Sequence, residues 1–122
     1  MSASHTAGPI CTTDRGTVSQ ATNISTAVTL DRASGTITTQ AANAAAGDEH
    51  TFTVNNSLVR ATDVPLVAIA TYAGAGTPYA VVDRVAAGSF RIGITNVHTA
   101  DALNAAMTIN FIILGAGAAA EA

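Results

Sequence analysis

The chain has 122 residues, with eight acids against five arginines, no lysine and a net charge of −3. That size suits a single domain. Its charges are scattered without a basic patch, which argues against nucleic acid as a partner, and the one cysteine, Cys11, excludes an intramolecular disulfide and a cysteine-based metal cluster. Charged residues make up only 11 % of the chain, and much of the 48 % apolar share is alanine, so a lone copy buries little per residue and the composition implies an oligomer.

In chain order, residues 1–15 are rich in Ser, Thr, Ala and Gly without periodicity and read as a flexible N-terminal arm. A basic segment followed by an apolar one is missing from its start, so synthesis in the cytoplasm is expected. The domain is expected over residues 16–114. Thr17 to Ala21 gives a first β run, and Ile24, Thr26, Val28 and Leu30 alternate on one side of a second. Asp31 to Gly35 is a turn cluster, so this run and Thr36 to Thr39 are expected to form a hairpin.

Ala41 to Gly47 is alanine-rich but too short and too interrupted for a stable helix, and reads as a loop. Glu49 to Asn55 alternates Phe52 and Val54 against threonines, as a half-buried strand does. Val64 to Ala70 is almost continuously apolar, which predicts a strand covered on both faces with Pro65 at its start. A Gly-rich, mobile connection over residues 72–78 precedes a hairpin: Tyr79 to Ala86, the turn Ala87-Gly88, then Ser89 to Thr95 with Phe90, Ile92 and Ile94 inward. The last strand, Ala105 to Leu114, places Met107, Ile109, Phe111 and Ile113 on one face, and residues 115–122 are a flexible tail. The longest apolar run near that end is too short and too interrupted to cross a bilayer. Seven or eight such strands predict an all-β, single-domain antiparallel β-sandwich, jelly-roll-like, with an immunoglobulin-like sandwich as the alternative.

No reactive constellation emerges from the spacing. His5, His50 and His98 are far apart and read as solvated imidazoles, although Asp48, Glu49 and His50 together would make a cation site if the fold supplied further oxygen ligands. Gly-x-Ser-x-Gly is absent, Gly74-Ala75-Gly76 lacks the third glycine and helix of a phosphate cradle, and Cys11 reads as a free thiol. The Asn-x-Ser matches at Asn23 and Asn55 read as chance. Neither an enzyme nor a cofactor or metal is expected. Asp14, Asp31 and Asp83 each directly precede an arginine, and strand neighbours point to opposite faces, so these charges are expected to bond across strands or subunits. Asp14, Arg15, Arg32 and Arg84 are therefore the candidate partner-binding residues.

The segments Gly16 to Gln20, Leu30 to Thr39, Phe52 to Ser57 and Ala86 to Asn96, with the stretch from Ala102 to Phe111, resemble small virion structural proteins of tailed bacteriophages and prophages. The resemblance covers roughly residues 16–114. It implies a capsid decoration, or cement, protein: a homotrimeric β-sandwich on the outer surface of the phage head that bridges subunits of the major capsid protein. The competing expectation is a tail-fibre or receptor-binding domain for host-surface glycans, for which Tyr72 and Tyr79 are the candidate aromatics.

Overall fold

The computed structural model describes residues 13–115, so the expected arm falls largely outside the described residues and the expected tail almost wholly so. The described chain contains eight strands and no helix: β1 (Arg15–Ser19), β2 (Val28–Thr29), β3 (Ser34–Thr38), β4 (Glu49–Asn55), β5 (Val64–Tyr72), β6 (Pro78–Ala86), β7 (Ser89–Asn96) and β8 (Met107–Leu114). They form two four-stranded sheets, one ordered β1-β3-β8-β5 and the other β2-β4-β7-β6. The fold is thus an all-β sandwich.

Every connection except β6–β7 carries the chain from one sheet to the other. Successive strands also reverse direction, so strands two apart return to the same sheet pointing the same way. That is why β1 pairs with β3, and β2 with β4, in parallel, whereas the other four ladders are antiparallel. The wholly antiparallel sandwich expected from the sequence is corrected on this point.

The expected hairpin before β3 is corrected as well. Val28–Thr29 belongs to one sheet and Ser34–Thr38 to the other, and the chain turns a corner between them. Two contacts make that corner: the buried Asn56 donates to the carbonyls of Leu30 (2.9 Å) and Arg32 (2.7 Å), while Leu30 packs on the core over the two glycines of the β1–β3 pair. A Cβ on Gly35 would stand 2.8 Å from the Gly16 carbonyl oxygen and 2.6 Å from Leu30 Cδ2, so this pair holds glycine because the corner presses on it.

Alternation supplies the core from both sheets: Ile37, Ile109 and Phe111 from one, Phe52, Val54, Phe90, Ile92 and Ile94 from the other, all at most 3 % exposed. The β6–β7 hairpin closes through Ala87-Gly88, where Gly88 has φ +90°. It is fixed by bonds from Gly88 N to Val59 O (3.0 Å) and from Asn56 N to Gly88 O (2.9 Å).

β5 departs most from expectation. It is not covered on both faces: Val67 and Ile69 pack inward, but Val64 (47 % exposed), Leu66 (49 %) and Ala68 face outward without cover. β5 is the edge of its sheet, and an edge is where Pro65 sits without deleting a ladder bond.

Candidate partner interface

The two outer faces of the sandwich are built from the alternate residues that the core does not use, and they differ in chemistry. The β4–β7–β6 face carries charged and hydroxylic residues, with Tyr79 and Val81 exposed among them on β6. Asp83 accepts both arms of Arg91 across the hairpin, at 2.8 Å from Nε and 2.7 Å from Nη2. The Glu49 carboxylate lies over Gly93, where a Cβ would stand 2.7 Å from Oε2, and accepts from Thr95 Oγ1 at 3.2 Å.

The Arg91 guanidinium holds the Asp83 carboxyl below its ordinary value, against the opposing effect of partial burial, with Arg84 adding a smaller attraction. A carboxyl lowered in the folded state contributes stability above its unfolded value of about 4, and that contribution is lost as the pH falls through the lower folded value. Asp83→Asn should therefore melt below the wild type at neutral pH. The gap should narrow progressively as the pH is lowered below about 4, and a gap that stays constant with pH would disprove the assignment.

The opposite face reads, row by row across β1, β3, β8 and β5, as Arg15-Ser34-Ile112-Leu66, Thr17-Thr36-Asn110-Ala68 and Ser19-Thr38-Thr108-Thr71. A hydrogen-bonded chain crosses it: Arg15 Nη2 donates to Thr36 Oγ1 (2.8 Å), which donates to Asn110 Oδ1 (2.6 Å). Beside this chain lies a groove of about 380 Å³ between Arg15 and Ser34 on one side and Leu66, Ala68 and Ile112 on the other. The nine residues of β5 and the eight of β8 contain no charge.

Three of the four candidate partner-binding residues meet at the β1 margin of this face. Asp14 Oδ2 accepts from Ala33 N (3.0 Å) and its Oδ1 from Arg32 Nη1 (3.3 Å), with Arg32 54 % and Asp14 41 % exposed, and Arg15 starts the next strand. Arg84 is apart from them, exposed on β6 in the other sheet and at the opposite side of the sandwich. Asp31 bonds to Ser57 N at 2.8 Å, so it does not pair with its neighbour Arg32.

Other expectations resolve in detail. Glu49 and His50 follow one another on a strand and face opposite sides, so Asp48, Glu49 and His50 do not converge, and among the described residues no three His, Cys, Asp or Glu side chains gather to hold a metal. His98 caps its own loop, its Nδ1 accepting from the backbone N–H groups of Ala100 (3.0 Å) and Asp101 (2.9 Å). The Gly-rich connection after β5 is tied to the β7–β8 loop by hydrogen bonds. Tyr72 donates its hydroxyl proton to Ala75 O and accepts from Asn104 N (3.1 Å), while Ala75 N donates to Asn104 Oδ1 at 2.7 Å. Tyr72 is thereby committed internally, and Tyr79 remains the openly exposed aromatic among the described residues, at 62 %.

Sequence reasoning missed the outward side of β5 and β8, because a continuous apolar run reads as doubly buried; the missing charge over both strands was the signal available. Comparison of the chain with protein families, with curated proteins and with solved structures gave no match.

Proposed function

We propose that the chain is a head decoration protein of a tailed phage, which sits as a homotrimer on the outer surface of the capsid in the virion and bridges neighbouring subunits of the major capsid protein. The observation that carries this reading is the gathering of Asp14, Arg15 and Arg32 at one exposed margin of the sandwich, at the point where residues 1–12 join the domain. An exposed arginine offers charge-assisted, bidentate bonds to a partner carboxylate. One such contact is weak, but copies repeated on a symmetric shell act together through multivalency. Support also comes from a framework whose loops are held by fully bonded buried amides, which suits a passive clamp.

The finer reading of the fold, a jelly-roll-like sandwich, rests on eight strands in two sheets of four, with the two parallel pairs marking it as a variant. Immunoglobulin-like sandwiches carry seven or nine strands.

The test is sedimentation with expanded, empty phage heads. Saturable co-pelleting at a fixed ratio to coat subunits, with raised heat resistance of the head, is the expected result, and Arg32→Glu should weaken it by about tenfold as a charge-assisted contact becomes repulsive. Absence of co-pelleting would sink the reading in favour of a fibre-type domain that binds host glycans through Tyr79.

A further inference from the structure

The two sides of the sandwich are unequally guarded. On one side the free edges are β1 and β2, of five and two residues; on the other they are β5 and β6, of nine each. Very short edge strands and edge charges are the usual protections against unwanted strand pairing. β6 has Asp83 and Arg84 and a register shift beside them, whereas β5 has a register shift but no charge. Among the described residues, the backbone of β5 bonds to β8 alone, which leaves its outer row of N–H and C=O groups unpaired within the sheet.

Next to that edge, Val64, Leu66 and Ala68 stand beside Ile112 and Leu114, all outward on β5 and β8. Depletion of charge around an apolar centre is the composition of an interface core, and the β4–β7–β6 face, where Glu49, Asp83, Arg84 and Arg91 stand beside the exposed Tyr79 and Val81, supplies the contrast within the same molecule. From these observations we infer that the β5–β8 margin is the seam between copies of this chain, with Leu66 at its centre. This deepens the oligomeric part of the proposed function, but it rests on the face and edge themselves and not on the phage assignment.

The size is adequate. Nine residues at about 3.3 Å each make a strip about 30 Å long. Two strands plus the free edge give a width of about 15 Å, and the flank across to β6 adds about 10 Å, for roughly 750 Å² per copy, close to the 800 Å² or so that each partner contributes to a standard interface. A second copy fits better than the coat as occupant, because permanent homomeric interfaces are the more hydrophobic class and a bare uncharged edge needs cover before any shell is met. The coat contact is left to the polar β1 margin.

Sedimentation equilibrium of the full chain decides the matter. The wild type should hold the mass of an oligomer across a wide dilution range, and Leu66→Lys should dissociate it to the 12.1 kDa monomer with an unchanged circular dichroism spectrum, its dissociation constant raised roughly 100-fold by a lysine buried without a partner. Thr51→Lys, on the charged face, should leave the mass unaltered. If Leu66→Lys loses its folded spectrum, Ala68→Lys, which removes no packing, gives the deciding mass. A monomeric wild type, or a variant that keeps the wild-type mass while folded, overturns the seam. A monomeric wild type whose head binding is abolished by Leu66→Lys would assign this face to the coat instead, refuting the seam but not the decoration role. A seam that behaves as stated in a protein that never pellets with heads would refute only the decoration role.

Discussion

Asn96→Ala should cost about 3–5 kcal/mol, a large part of the stability of a domain this size. Asn96 ends β7 with no exposed surface, and its amide serves four backbone groups from three loops. Nδ2 donates to the carbonyls of Ala44 (3.0 Å) and Asp101 (2.8 Å); Oδ1 accepts from the N–H groups of Thr77 and His98, both at 3.1 Å. Alanine removes the side chain but not the four groups it satisfied, and a buried polar group left without a partner costs its full desolvation, about 1–3 kcal/mol. Some of these groups will recover water at the loop ends, which keeps the total below a simple sum. Asn96→Asp tests the same geometry from another direction, since a carboxylate would aim charge at the two carbonyls that now receive protons; its deficit in urea melts should shrink as the pH falls and the acid protonates. Full stability of Asn96→Ala would show that the loops are held by their own turns.

Two other buried amides work in the same way. Gln20 Nε2 donates to the carbonyls of Ile24 and Thr26, both at 2.9 Å, and its Oε1 accepts from Gln40 N at 2.9 Å. Asn56 holds the corner before β3. None of the three roles could be read from the sequence, because an asparagine after a strand looks like an ordinary turn residue, and a glutamine like an ordinary surface one, until the loops they join are known. What was legible was local. The two-residue period gave β4, β7 and β8 and their inward faces, and Ala87-Gly88 gave the hairpin. Sheet membership was illegible, since an alternating strand reads alike in either sheet and only the corner at Leu30, made by Asn56 from 26 residues away, sends β2 and β3 apart. Of the site, the clustering of Asp14 with Arg15 and Arg32 depends on the parallel β1–β3 ladder, which aligns Arg15 with Ser34. The outward apolar strip was hidden because periodicity cannot separate a doubly buried run from one side of an interface.

Phe111→Ala should cost a further class of energy, about 3–5 kcal/mol, by opening a cavity where the sheets meet. The Phe111 ring is 3 % exposed and meets the Phe90 ring from the opposite sheet with centroids 5.5 Å apart and planes tilted by 60°. Tilted aromatic pairs contribute about 0.5–1.5 kcal/mol beyond burial, so Phe90→Ala and Phe111→Ala combined should destabilise by less than their separate effects added, by about that amount. Phe111→Leu, which keeps most of the volume, should cost about 1–2 kcal/mol. The consequence reaches the surface. Phe111 lies between Asn110 and Ile112 on β8, which face outward beside Ala68 and Leu66, so a strand that relaxes into the cavity would carry those two side chains with it. If the β5–β8 margin joins copies of the chain, Phe111→Ala should weaken association as well as folding. Because association stabilises the folded state by mass action, the melting temperature of the wild type should rise with protein concentration more steeply than that of Phe111→Ala. Equal concentration dependence in the two proteins would separate the core from the seam.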